Sequence, residues 1–384
     1  MIERILNSSK NFEVILFRVK KIQTGGEQYI SEVHNYLLSH KINVTPIWID
    51  DLPNSLHRLG LIIDCFLSNF LFLERFMKVK NQSVSQKIIF EDFYLHPRLF
   101  IFNFLIRLFM RNFKIITLDQ LDPAFHKALG NFIIRLIDQL IIHIYLKQAH
   151  LILCNSKFTQ NQILSRGIHK SKIHLVYCGY DTSIQLQERK EFKKQNNKYH
   201  ILFVGKCAKV KGLEYLIKAI LILENNDIIL DIVGNTEAEP SYFKRLTRLI
   251  KYSKLKDNII FHGQISDRNK LSNFYRKSDI FVFPSLNEGF GIVLLEAMSY
   301  GLPILATKSG AIPELVTNDV NGLLVLPFQP EALAAAIQHL IINPDLRKRY
   351  SQAGYNFLLA NRSLYSWSFV GERILKAFDT ILCA

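Results

Sequence analysis

Apolar runs of strand length recur along this chain, and stretches of helical period fill the gaps between them. Residues 13–19 (EVILFRV) open the series, a loop holding Thr24, Gly25 and Gly26 follows, and residues 27–39 carry a helical pattern. Further strand-length runs fall at 44–49, 87–90, 114–118, 151–154 and 173–177. Strands that alternate with helices predict a parallel, doubly wound sheet. A second series has strands at 200–205, 228–233, 258–261, 280–284, 303–306 and 322–325. Between the two series, residues 184–198 (IQLQERKEFKKQNNK) are polar and charged with almost no apolar anchor, as a linker would be. The last stretch, 365–384, places Trp367, Phe369 and Phe378 at helix-like intervals. The pattern therefore predicts an α/β chain of two Rossmann-like domains, 1–183 and 199–364, joined by the linker and ended by a helix.

Composition agrees with two buried cores. The 384 residues suit two domains of ordinary size, and 49% of them are apolar. A net charge of +15 points to an anionic partner: nucleic acid, a negative membrane surface or a phosphorylated substrate. The basic residues are spread along the chain and accompany no nucleic-acid-binding signature, which sets nucleic acid aside. Five cysteines at 65, 154, 178, 207 and 383 show no metal or redox spacing, as in a reducing compartment. The first residues lack the basic, apolar and small-residue succession of a signal peptide. Residues 59–76 are the most apolar window, but Asp64, Asn69, Glu74 and Arg75 interrupt it, so a buried helix is expected there.

Chemistry concentrates in two loops of the second half. In the first, a strand ends at Pro284, Glu288 follows, Gly289 and Gly291 bracket Phe290, and a helix begins near Ile292. Glycines let backbone approach a ligand, and a helix N-terminus offers free N–H groups with partial positive charge, a ready site for an anion. Glu296 stands about one turn into that helix, and helical side chains lean toward the N-terminus, so its carboxylate is expected at the same mouth. An acid there suits a sugar diol better than a phosphate. The second loop, Gly205-Lys206-Cys207-Ala208-Lys209-Val210-Lys211-Gly212, again follows a strand. Lysines at the carboxyl edge of a doubly wound sheet suit a diphosphate.

The stretch FVFPSLNEGFGIVLLEAMSYGLPILATKSGAIPELVTNDVNGLLV resembles the donor region of family-4 retaining glycosyltransferases of the GT-B fold. Their Glu-x7-Glu signature is matched by Glu288 and Glu296, and VGK…KG is similar to their basic pyrophosphate loop, with Lys206 where Arg is usual. The resemblance is close over residues 198–360 and weaker at 154–163 and 175–183. It implies two domains facing a cleft, with the C-terminal helix crossing back to the first. It further implies that Glu288 contacts the donor sugar, Glu296 the ribose, and Lys206 and Lys211 the diphosphate. Backbone amides of Phe290, Gly291, Ile292 and Val293 would bind donor oxygens. Sugar transfer would proceed with retention of anomeric configuration.

In the first half, Gly25 and Gly26 would approach the donor. The family's histidine after the fourth strand is replaced by Leu118, leaving Asp119 to contact the transferred sugar or acceptor. Glu91, Asp92 and His96, in the turn EDFYLHP, are acceptor-side candidates. No Asp-x-Asp occurs, so no metal clamp and no cofactor is expected beyond the nucleotide-sugar donor. The implied activity is a hexosyltransferase of polysaccharide biosynthesis, acting on a glycan, lipid-linked or small-molecule acceptor. Residues 98–114 (RLFIFNFLIRLFMRNFK) put Asn103, Arg107, Arg111 and Lys114 on one stripe. That pattern fits equally a helix lying on an anionic membrane and a core helix with a basic outer edge. The expected location is the cytoplasm, peripheral on the inner face of the membrane. The rival from another class is a non-catalytic, sugar-nucleotide-binding or membrane-associated scaffold of the same fold.

Overall fold

The computed structural model describes residues 12–18, 25–48, 86–92, 113–119, 143–144, 146–180 and 198–382. Contacts divide the chain into two units: Met1–Gly179 with Leu364–Ala384, and Tyr180–Ser363.

Among the described residues, the first unit is built on six parallel strands: β1 (Phe12–Arg18), β2 (Val44–Trp48), β3 (Gln86–Asp92), β4 (Phe113–Asp119), β5 (Leu151–Cys154) and β6 (Ile173–Leu175). Their order is β2-β1-β3-β4-β5-β6, so the winding reverses between β1 and β3. Near-continuous apolar runs such as LILC, buried at every position, suit a parallel sheet covered on both faces. Helix α1 (Gly25–Ser39) buries Tyr29, Val33 and Leu37, the i, i+4, i+8 stripe of a core-facing helix. Helix α2 (Lys157–Ser165) starts at Ser156, whose hydroxyl accepts from the Thr159 N–H.

The second unit has β7 (Tyr199–Val204), β8 (Ile228–Val233), β9 (Ile259–Gly263), β10 (Ile280–Phe283), β11 (Ile304–Thr307) and β12 (Leu323–Val325), all parallel. Their order, β12-β11-β10-β7-β8-β9, is doubly wound and reverses between β7 and β10. Helices α3 (Leu213–Leu223), α4 (Pro240–Ile250), α5 (Arg268–Lys277), α6 (Ile292–Ser299), α7 (Ile312–Leu315), α8 (Pro330–Ile342) and α9 (Pro344–Asn361) connect and cover them. The core joins strand residues Ile201, Phe203, Leu230 and Val282 to Leu216, Ile220, Leu333 and Ile337 from α3 and α8.

The last helix, α10 (Trp367–Leu382), belongs to the first unit and packs on α1. Phe378 meets Phe90 edge-on at 6.1 Å, and Trp367 meets Tyr29 at 5.5 Å. Gly371 permits this approach, because a Cβ there would overlap the Tyr36 ring.

Three local expectations are corrected. Gly25 and Gly26 are the first residues of α1 rather than a loop before it. A helix leaves its first N–H groups without intrahelical partners, so glycines start one at small cost. Glu91 and Asp92 lie in strand β3 rather than in a turn, held by the backbone ladder opposite Thr117 and Leu118. Lys114, expected on the basic stripe of a helix, lies instead in strand β4, paired with Ile88 of β3, while His96, residues 98–112, the 59–76 window and linker residues 184–197 fall outside the described residues.

Candidate active site

The site in the second unit lies where its winding reverses. The lysine loop follows β7, the glutamate loop follows β10, and these two strands are neighbours in the sheet. A crevice opens at such a point, because successive connections depart to opposite sides.

Backbone bonds stitch the loops into one frame. Residues 209–211 form a turn of 3-10 helix that closes on Gly212. The Val210 carbonyl accepts from the Leu286 N–H at 2.7 Å and from the Ser285 hydroxyl at 3.3 Å. The Ser285 carbonyl in turn accepts from the hydroxyls of Thr307, the last residue of β11, and of Ser309 just beyond it. The Glu288 carbonyl accepts from the Ala311 N–H at 2.8 Å. Two glycines make the approach feasible. Gly212 (φ +67°) and Gly310 (φ +55°) are left-handed, and a Cβ would overlap the carbonyl oxygens of Pro284 and Glu288 respectively.

The charged side chains hang on this frame. Lys211 Nζ lies 2.7 Å from Glu288 Oε2, with the two side chains only 20% and 12% exposed. The same ammonium sits 5.5 Å from the centre of the Phe283 ring. Glu288 also lies against Gly291, the left-handed residue that starts α6. Phe290 is buried, whereas Ile292 and Val293 stay partly accessible at the helix tip, where first-turn amides lack intrahelical acceptors. Lys206, on the loop after β7, is partly exposed, and its carbonyl accepts from the Ala208 N–H.

Glu296 is engaged differently. Its Oε2 accepts a 2.8 Å hydrogen bond from the phenol of Tyr275 on α5. Tyr275 is fully buried, and its pKa is pushed well above the ordinary phenol value by burial first, then by the charge and bond of Glu296. Nothing in the sequence singles out Tyr275, which resembles any core aromatic on an amphipathic helix.

The first unit places Gly25 and Gly26 at the start of α1 after β1, and Glu91 and Asp92 at the end of neighbouring β3. These four share the carboxyl edge at that sheet's own winding reversal. Asp119 ends β4 beside Cys154 of β5, one residue after Leu118.

A second polar group sits under the sheet of the second unit. Asp231, the lone acid in the run IILDIV, accepts from His200 at 2.8 Å and His262 at 2.7 Å, with Lys277 at 3.4 Å. Burial would raise its pKa, but these bonds and the lysine charge hold it below the usual carboxylate range. The acid within an apolar strand was the available signal for it. Among the described residues, no group of three or more His, Cys, Asp or Glu is placed to hold a metal ion.

Fold and site together define the class: an α/β protein of the GT-B architecture, with a basic and acidic loop pair at the carboxyl edge of its second sheet. Residues 184–357, most of the second unit, match the family described as glycosyl transferases group 1. A glycosyltransferase of Methanocaldococcus jannaschii is 30% identical over 272 residues, covering 68% of this chain and 66% of its own. The chain spans about half to two thirds of the length of the curated relatives it matches. Sucrose-phosphate synthase from Thermosynechococcus elongatus superposes with a TM-score of 0.78 at 20% identity, over 97% of this chain and 99% of its own. An Anabaena protein crystallised with UDP-glucose gives 0.70 at 18% identity, over 97% and 100%. At these identities the two structures establish the shared fold.

Proposed function

We propose that this chain transfers a hexose from a nucleoside diphosphate sugar to an acceptor hydroxyl, with retention of configuration and without a metal ion or other cofactor. The observation that carries this reading is the Lys211–Glu288 pair, held beside the tip of α6 at the winding reversal. The binding of UDP-glucose by a protein of the same fold supports a nucleotide-sugar donor.

As the bond between anomeric carbon and diphosphate oxygen breaks, negative charge gathers on the departing diphosphate. Lys211, Lys206 and the amides of Phe290 to Val293 stabilise it, and such fixed charges and dipoles act most strongly where they need no reorganisation. Glu288 holds the sugar hydroxyls and Glu296 the ribose. Asp119, Glu91, Asp92 and His96 serve the acceptor side, and Gly25 and Gly26 approach the donor. The acceptor is a glycan, a lipid-linked sugar or a small molecule in polysaccharide biosynthesis. The net charge of +15 supports contact with an anionic inner membrane face and with phosphate-bearing acceptors alike. Among the described residues, no helix is long and apolar enough to cross a membrane.

Glu288→Ala is expected to abolish transfer while circular dichroism stays that of the parent; transfer near the parental rate removes Glu288 from the site. Leu118, at the family's histidine position, favours a second reading, a non-catalytic scaffold that binds sugar nucleotides. Release of nucleoside diphosphate by purified parent protein, absent in Glu288→Ala, excludes that scaffold.

A further inference from the structure

Tyr275 is not among the residues that the family signature singles out, yet its chemistry is specific. It lies on α5, immediately before β10, with 1% of its surface exposed. Its ring is stacked on Tyr300 at 5.1 Å and 4°, and tilted against Phe281 at 5.9 Å. Tyr300 closes α6, its N–H bonded to carbonyls that include that of Glu296. The ring is therefore clamped between the strand that leads to the glutamate loop and the helix that bears Glu296.

Packing alone would be served by phenylalanine. A buried hydroxyl costs stability unless it is bonded, and here it donates to Glu296 Oε2 at 2.8 Å. Glu296 stands on a helix whose neighbouring residues Leu294, Leu295, Ala297 and Met298 are buried. A carboxylate has two oxygens and about four acceptor sites, so accepting from the phenol does not by itself exhaust it.

We propose that Tyr275 is the positioning residue for Glu296: its phenol fixes the carboxylate so that it accepts from a vicinal diol, and thereby sets the preference for a ribonucleotide over a deoxyribonucleotide. This rests on the donor reading above, in which Glu296 meets the ribose. A carboxylate locked by a second hydrogen bond binds a diol without first losing rotamer freedom.

The test uses the full chain and calorimetry with UDP, GDP and ADP, followed by the 2′-deoxy and 3′-deoxy forms of the tightest binder. The parent is expected to prefer the ribonucleotide by about tenfold or more, as loss of a hydrogen bond to a charged group implies. Tyr275→Phe is expected to cut that preference at least about threefold, and to raise donor KM while kcat changes less than about twofold. Glu296→Ala abolishes the preference altogether. If Glu296→Ala loses it while Tyr275→Phe keeps the parental ratio, the positioning role is overturned and the donor reading stands. If the parent binds none of the three nucleotides, the donor reading falls and takes this role with it. Loss of the fold in Tyr275→Phe also overturns the proposal, because a hydroxyl that only aims a carboxylate is dispensable for folding.

Discussion

Lys211 and Glu288 are 77 positions apart in the chain and 2.7 Å apart in the fold. An ammonium already paired with a carboxylate is a conditional cation: a diphosphate that reaches it must share it with Glu288 or displace that partner. With both side chains mostly shielded, each charge acts on the other more strongly than it would in bulk water. Lys211→Ala takes away the cation and leaves Glu288 facing the incoming phosphates. Affinity for nucleoside diphosphate is then expected to fall by about tenfold or more, the scale of one charge-assisted hydrogen bond. Titration calorimetry checks this, and undiminished affinity places the diphosphate elsewhere. The loop pattern pointed to both residues, but not to the bond between them. Spacing along a chain carries no record of which loops a sheet will bring together. Tyr275 lay below that horizon as well, since a phenol and a phenyl read alike in a hydrophobic pattern.

At the scale of elements, alternation of apolar runs with helical periods located the twelve strands found among the described residues, with ends displaced by at most a residue or two. The loops were less legible, because their shape depends on partners distant in sequence. Gly310 illustrates this: it begins as one letter in the run GAIPE, and the structure shows it pressed on the Glu288 backbone at φ +55°. Gly310→Ala demands a left-handed alanine and displacement of a carbonyl oxygen together. It is expected to destabilise the second unit by about 1–3 kcal/mol or more and to impair transfer. A melting curve within a degree of the parent's contradicts that account. Gly25 and Gly26 taught the opposite lesson: glycines expected to make a loop begin a helix, since the first turn asks nothing of their N–H groups.

At the scale of the whole molecule, the surplus of fifteen positive charges sets the sign of its partners. The buried groups shape its pH response. Cys207, fully buried in the core of the second unit, has its thiol pKa pushed from 9.0 to about 11 by burial. The folded chain therefore keeps a proton that the unfolded chain releases near pH 9. Stability from this group is complete below pH 9 and declines as pH rises toward 11, by on the order of 2–3 kcal/mol. Denaturant titrations at pH 8 and pH 10.5 are expected to show a steeper alkaline loss in the parent than in Cys207→Ala. Equal slopes count against the burial effect.

Periodicity alone decided that this chain forms two parallel, doubly wound sheets, because burial on both faces demands strand-length apolar runs whatever else the chain does. The spacing of Glu288 and Glu296 around a glycine-flanked turn likewise marked the loop after β10 as a candidate site, since a strand end, two glycines and a helix start are local features. Tertiary structure decided the rest: that Lys211 answers Glu288, that Tyr275 answers Glu296, and that Asp231 is shared by two histidines. Those pairings arise from sheet order, and sheet order is set by the packing of the entire unit rather than by any segment within it.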